Sequence, residues 1–539
     1  MNEILSALKV LTVYDLEQLA GTTIVRAVQG AYETNRERAL AQLVIDRFGV
    51  NLLKNKAIRS ALIDVLSKPE AADACKKLGM NTGTSSPHRL LNDRYSGPFS
   101  QARAEEFVKV FGLHEDLIPP QTNDPRESVV QICASYNQKL VSKGVLHPYQ
   151  RRVKDALRAH LNWGRRKMMA QMPTGAGKTV TALEILVDYL RQPDFDKLII
   201  WIVDSNELAD QALESFGALW VLRGDRPVNA YRYFHDFSSN FQNCDPGIVF
   251  TSFSKAWAAL DSNDYERKEN FLNLCKRASL VVVDEAHTSM AQTYETVISR
   301  LISHDAFLIG LSATPGRNDP YQTVELAQMY GQQLVSITDE EKNEVSDAVE
   351  YLRKEGYLAS VIFEDLESGA LVTERDEGRI CSELAENSAR NDQIMKQIER
   401  AIQEDHSTIV FACTKDHVLA LTALCRARGI ESGFIIGEVP QSERVKLLSR
   451  FRSGDLRVLI NHEILSTGVD LPNVNKLIIT RPVGSPILYS QILGRALRGP
   501  KNGGNFTNYV VNISDNLANF PSASHVYKSF KNNFSLEVR

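Results

Sequence analysis

The stretch Met172-Pro173-Thr174-Gly175-Ala176-Gly177-Lys178-Thr179 constrains this chain more than any other. It follows an apolar run and opens a helical pattern from Val180 to Leu190, so it predicts a strand, a tight turn and a helix in that order. Small residues in the turn let backbone N–H groups face a polyphosphate at the helix N-terminus. Lys178 can reach the β- and γ-phosphates, and the Thr179 hydroxyl can bind Mg²⁺. Thr174, Gly175, Ala176, Gly177, Lys178 and Thr179 are therefore candidate nucleotide-binding residues. The strict pattern begins on glycine, and this chain has Met172 there.

A second segment completes such a site. Leu280-Val281-Val282-Val283 is a buried-strand run, and it delivers Asp284-Glu285-Ala286-His287 at its C-terminal end, where open α/β sheets place their ligands. Asp284 can hold Mg²⁺ through water, while Glu285 can orient and deprotonate an attacking water.

The rest of the chain supplies the architecture. Residues 1–118 carry apolar positions at helical spacing, for example Leu40, Leu43, Val44 and Phe48, and predict a small all-α domain. Pro119, Pro120 and Pro125 among polar residues predict a linker over 119–139. From there short apolar, β-rich runs alternate with helical segments. They include Leu198–Val203, Ile248–Phe250 and Leu308–Leu311, and later Thr408–Ala412, Arg457–Asn461 and Lys476–Thr480. Such runs imply parallel strands covered on both faces. The expectation is two tandem α/β domains, 140–335 and 336–539, with no sequence repeat beyond that echo. With 62 Lys+Arg against 66 Asp+Glu, net charge −4, binding of a polyanion through bulk charge is disfavoured, which leaves a local basic groove. Seven scattered cysteines without a Cys-x-x-Cys pair predict neither a disulfide framework nor structural zinc. No run approaches a membrane span and Glu3 stands where a signal peptide carries bases, so a cytoplasmic location without membrane contact is expected.

On these residues the chain resembles the superfamily-two helicases and translocases with an Asp-Glu-Ala-His box, over about residues 140 to 515. Further segments match the family in order. Leu146-His147-Pro148-Tyr149-Gln150 looks like its adenine-reading segment, with Gln150 as the contact. Asp204 to Gln211, with Asn206, and Thr251-Ser252-Phe253 sit where the family grips the nucleic-acid backbone. Ser312-Ala313-Thr314, with His287, matches the element coupling hydrolysis to motion. Thr467-Gly468-Val469-Asp470 and Gln491 to Arg498 match the two late motifs. The resemblance implies that Thr467 faces the strand, that Gly468 and Asp470 face the nucleotide, and that Gln491, Arg495 and Arg498 join Lys178 and Glu285 in catalysis. Arg495 and Arg498 lie three apart, so on a helix both can stabilise the charge of phosphoryl transfer from a second domain.

The Leu-His-Pro-Tyr-Gln start, the Leu-Ser-Ala-Thr-Pro run and Glu355-Gly356-Tyr357-Leu358 look most like the helicase (Res) subunits of type I and type III restriction enzymes and their stand-alone bacterial relatives. The resemblance implies two RecA-like domains and ATP with Mg²⁺ as cofactors. It implies movement along a nucleic acid, expected to be DNA, in restriction, phage defence or repair. An RNA helicase, and a non-processive ATP-dependent clamp on a nucleic acid or partner, are the alternatives.

Three segments fall outside the motor. Gly164-Arg165-Arg166-Lys167 reads as a solvated basic turn, and Tyr527 to Phe534 as an amphipathic helix packing Phe530 and Phe534 on the second domain. The N-terminal domain could recognise DNA through a short helix-turn-helix, bind a protein partner such as a nuclease or defence subunit, or brace the motor; its balanced charge favours protein contact or target selection over a basic nucleic-acid surface.

Overall fold

The computed structural model describes residues 8, 11–29, 31, 36–81, 85–119, 126–134, 146–313, 320–345, 347–370, 372, 376–462, 465, 471, 473–482, 489, 492–494 and 497–515. Two sheets organise them. The first contains β1 (Val129–Ile132), β2 (Lys167–Gln171), β3 (Leu198–Val203), β4 (Val228–Tyr233), β5 (Gly247–Ser252), β6 (Ala278–Val283), β7 (Phe307–Ser312) and β8 (Leu334–Val335). Their order across the sheet is β1-β4-β5-β3-β6-β7-β2-β8. The second contains β9 (Ser360–Glu367), β10 (Thr408–Phe411), β11 (Ser432–Ile435), β12 (Val458–Asn461), β13 (Lys476–Ile479) and β14 (Thr507–Ser514), in the order β11-β12-β10-β13-β14-β9.

Every pairing is parallel except β1 with β4. The all-apolar runs occupy the middle of each sheet. β3 and β10 are buried at every residue, as strands covered by helices on both faces must be. Strands at or near the edges depart from that pattern. β9 carries Glu364, Asp365 and Glu367 and is half-exposed, and β4 interleaves Asn229 and Arg232 with its apolar residues. β1 lies inside the stretch expected to be linker. Four residues there pair antiparallel onto β4, because Val129, Val130 and Ile132 give an otherwise polar segment one apolar ladder.

Helices cover both faces of the first sheet, with separate cores on each. One is built on Leu183, Trp201, Phe216 and Trp220, the other on Ile200, Phe241, Phe271 and Leu308. Ile337, Leu352, Tyr357 and Leu358 belong to the first of these cores, so the chain leaves the first layer only after residue 358.

The N-terminal helices run Val13–Ala20, Thr22–Ala27, Arg36–Phe48, Lys56–Asp64, Lys68–Lys77, Pro87–Tyr95 and Gln101–Phe111. Side-chain caps at Thr12, Asn55, Ser67 and Ser100 satisfy free N–H groups at four of their starts. Arg59, 2% exposed, spends its guanidinium on the carbonyls of Leu53, Lys54 and Tyr95 and so ties three segments together.

These helices do not pack on the sheet that follows them in sequence. They share one apolar core with the second sheet, where Leu40, Val44 and Ile24 join Val418, Leu421 and Ile398. Helices Thr22–Ala27 and Arg36–Phe48 lie against Glu377–Glu386 and Lys415–Ala427. Ion pairs rim the contact: Arg26 with Glu386 at 2.8 Å, Arg426 with Asp46 at 2.8 Å and Arg47 with Asp416 at 3.5 Å. Among the described residues no helix is long and apolar enough to cross a membrane, and no cluster of three metal-ligating side chains occurs. The cysteines are free.

Candidate active site

The phosphate loop rises between β2 and the helix Lys178–Leu190. Gly175 and Gly177 take φ of 83° and 77°, a region that other residues adopt with strain. Met172 is buried in the first core and its N–H donates to the Ser312 carbonyl at 3.1 Å. The missing glycine is thus replaced by an apolar anchor tying the loop to the end of β7.

Strand β6 brings its acids to the same place. Lys178 Nζ stands 3.7 Å from Glu285 Oε1, and the Thr179 hydroxyl donates to Asp284 Oδ2 at 3.4 Å. Burial, then the neighbouring Glu285, pushes the Asp284 carboxyl up to about 6. A carboxylate so short of solvation, beside a hydroxyl oxygen, is a donor set suited to a hard divalent cation. Glu285 has a φ of 50°, in the left-handed region, and such backbone outliers cluster at functional sites. His287 Nδ1 lies 3.4 Å from Glu285 Oε2 and 3.3 Å from the Ser312 hydroxyl, so the acid of β6 is linked to the end of β7.

Gln150 does not stand open towards a base. Its Nε2 donates to the Ala176 carbonyl at 3.0 Å and its Oε1 accepts from the His147 N–H at 2.9 Å, so it braces the phosphate loop and caps its own helix. Tyr149 makes the same carbonyl contact through its hydroxyl, at 2.9 Å.

The second sheet closes over this loop. A Cβ on Gly175 would lie 3.6 Å from the Gly494 carbonyl and 3.5 Å from Leu497 Cβ. The segment ending in Arg498 therefore faces the phosphate loop, and Arg498 forms a β-bridge with Leu358. Thr314, Thr467, Gly468, Asp470, Gln491 and Arg495 lie outside the described residues, as does the aromatic–basic stretch Tyr527 to Phe534.

The expected backbone-gripping residues separate into two groups. Thr251 and Ser252 are fully buried: the Thr251 hydroxyl donates to the Ser252 carbonyl and the Ser252 hydroxyl to Asn206 Oδ1 at 2.8 Å. In this conformation they cannot meet a strand directly, because the end of β5 lies inside the sheet. Ser252 orients Asn206, whose amide also approaches His235 Nδ1 at 3.3 Å. Lys255 lies beside it, donating to the His235 carbonyl at 2.8 Å, with its ammonium pushed below the usual lysine range by burial and by Arg267. Sequence reasoning missed His235 and Lys255. The basic turn at Gly164 is held by ordinary contacts, including Arg166 with Asp305 at 2.9 Å.

A phosphate loop on one parallel sheet, faced by an arginine-bearing segment from a second, defines the class of two-domain nucleotide-driven proteins. The family described as type III restriction enzyme, res subunit, matches residues 143–317, and the helicase conserved C-terminal domain matches 390–500. The chain thus carries a restriction-type helicase domain followed by a helicase C-terminal domain, and it resembles the superfamily-two helicases, the Res subunits among them. IRC3 of Saccharomyces cerevisiae, which bears the name of an ATP-dependent helicase, is 26% identical over 67% of this chain and 50% of its own length. The type I restriction enzyme EcoKI endonuclease subunit of Escherichia coli is 24% identical over 66% of this chain and 33% of its own. A crystal structure of the DUF1998 helicase MrfA bound to DNA superposes with a TM-score of 0.52 at 16% identity, over 76% of this chain and 52% of that one, a likeness of fold. The chain spans about half the length or less of these relatives.

Proposed function

We propose that this chain is an ATP-dependent motor on nucleic acid, and on DNA in preference to RNA. The observation that carries the reading is the approach of Gly494 and Leu497 to the phosphate loop, so close that a Cβ on Gly175 would stand 3.6 Å from the Gly494 carbonyl and 3.5 Å from Leu497 Cβ. One nucleotide would then have ligands from both sheets, so its binding and hydrolysis would open and close the cleft.

Thr174 to Thr179 cradle the phosphates, with Gly468 and Asp470 completing the pocket from the second domain. Thr179 and Asp284 are the residues that would hold Mg²⁺, which neutralises charge on the phosphate oxygens when bound. Glu285 orients and deprotonates the attacking water. His287, Ser312 and Thr314 relay hydrolysis to the strand-facing surface. Arg495 and Arg498, with Gln491, stabilise the charge of phosphoryl transfer, an effect of order 10³ to 10⁵ in rate for such arginines. Asn206, held by the Ser252 hydroxyl, contacts the backbone of the strand together with Lys255, and Thr467 does so from the second domain. The N-terminal helices, docked on the second sheet, travel with that domain and carry the surface for a protein partner in restriction, phage defence or repair.

DNA is favoured by the likeness to a restriction-enzyme subunit. The test is ATP turnover of the full chain measured in parallel with single-stranded DNA, double-stranded DNA, branched DNA and RNA. At least tenfold stimulation by a DNA, exceeding that by RNA, is expected. Stimulation by RNA alone would move the assignment to an RNA helicase. Stimulation without strand displacement or translocation on a labelled duplex would move it to a clamp.

A further inference from the structure

Residues 355–359 join the two sheets, and both sides hold them. Their backbone pairs with the segment just after the arginine motif. The Ala359 N–H donates to the Leu497 carbonyl at 2.9 Å, the Gly499 N–H to the Tyr357 carbonyl at 3.1 Å and the Lys501 N–H to the Gly356 carbonyl at 3.0 Å. The pairing is close: a Cβ on Gly499 would stand 2.6 Å from the Gly356 carbonyl oxygen. Their side chains face the other way. Tyr357 and Leu358 are buried in the core of the first sheet. The Tyr357 ring lies 4.8 Å from both the Tyr149 and the His147 rings, and Leu358 Cδ2 would touch a Cβ on Gly175 at 3.5 Å.

One polar side chain ties these contacts together. Asn502, from the second domain, donates through Nδ2 to the Tyr357 carbonyl at 2.7 Å. Tyr149, whose ring packs on that of Tyr357, donates through its hydroxyl to the Ala176 carbonyl of the phosphate loop. The Lys501 ammonium sits 4.6 Å above the Tyr357 ring. Side chains held by one domain and backbone held by the other make the segment a gauge of their relative position. A shift of the Ala176 carbonyl reaches Arg498 through Tyr149, the Tyr357 ring it packs on and the Leu358–Arg498 bridge, with Asn502 holding the Tyr357 backbone in place.

We propose that Asn502 and Tyr357 are positioning residues that set the Arg498 segment against the phosphate loop. The inference rests on the motor reading above, and it assigns neither residue a contact with the nucleotide.

The test compares Asn502→Ala, Tyr357→Ala and Tyr357→Phe in the full chain, by steady-state ATP turnover at saturating nucleic acid together with melting temperature. Asn502→Ala is expected to lower kcat about tenfold, the equivalent of one hydrogen bond made in the aligned state, with the KM for ATP within twofold. Tyr357→Phe keeps the ring and the carbonyl and is expected to match the wild type, while Tyr357→Ala falls with Asn502→Ala. A kcat within twofold of wild type in Asn502→Ala overturns the proposal. So does a loss that appears in KM or in melting temperature instead, or a Tyr357→Phe variant as impaired as Tyr357→Ala. Wild-type protein without ATP turnover would refute the motor reading itself, and is distinguishable from each of these.

Discussion

Replacing Asp284 by Asn separates what the site does from what it does to the fold. Burial and the adjacent Glu285 raise the Asp284 carboxyl from an ordinary 3.8 to about 6, so the ionised form is disfavoured in the folded chain without a cation. Two pH units correspond to about 3 kcal/mol at about 1.4 kcal/mol each. Asp284 is half-buried, and solvent screening brings the expected effect down to about 1–2 kcal/mol. The sign follows from linkage. Between pH 3.8 and about 6 the folded chain binds the proton more tightly than the unfolded one, so this group's penalty is absent below pH 4 and complete above about pH 6. Asn keeps an acceptor for the Glu285 N–H, which Asp284 now binds at 3.0 Å, and in place of the acceptor that Asp284 offers the Thr179 hydroxyl it presents an amide N–H that can donate to that oxygen. Thermal unfolding in EDTA at pH 7.5 should therefore show Asp284→Asn melting about 2–6 °C above wild type, with the gap closing towards pH 4. Mg²⁺ with a non-hydrolysable ATP analogue should stabilise the wild type and not the variant. A variant that melts lower at pH 7.5, or a gap that does not change with pH, would refute the reasoning.

Other consequences lie away from the phosphate loop. Arg390 and Asp515 form a buried pair, 0% and 2% exposed, bonded at 2.7 and 2.8 Å. Arg390→Met alone should destabilise the second domain by about 3–5 kcal/mol in urea unfolding, whereas Arg390→Met with Asp515→Leu should recover most of it; equal losses would contradict this. Removal of residues 1–118 uncovers the apolar face of helices Glu377–Glu386 and Lys415–Ala427 and should yield an aggregating protein by size-exclusion chromatography. A monomer of unchanged melting temperature would show that the shared core is dispensable. Lys255→Glu should weaken nucleic-acid binding evenly across sequences and reduce the slope of log affinity against log salt by about one; an unchanged slope would remove Lys255 from the interface.

The parts of this protein that were legible in the sequence are those where one physical requirement acts locally. β3 had to be apolar at every position, and β10 at every position after Thr408, because both faces are covered, and the glycines of the phosphate loop had to take positive φ. The edge strand β9 hid its identity behind Glu364, Asp365 and Glu367, since an edge half open to water needs no apolar run. β1 is four residues long and acquires meaning only from its partner β4. The burial of Thr251 and Ser252 was invisible for a similar reason, as a hydroxyl in a motif reads alike whether it faces solvent or Asn206. Contacts between distant segments were the least accessible. No local pattern announced that the N-terminal helices would share a core with the second sheet. Nor did any pattern show that residues 337–358 would pack on the first.

The central claim is that Lys178 and Glu285, 3.7 Å apart at the mouth of the first sheet, turn over ATP in response to a nucleic acid. The most direct test is steady-state ATP hydrolysis by the full chain at saturating DNA, with Lys178→Ala and Glu285→Gln alongside. Stimulated turnover in the wild type, and its loss by at least a hundredfold in both variants with their melting temperatures preserved, is the predicted result. Wild-type turnover in either folded variant would contradict the account.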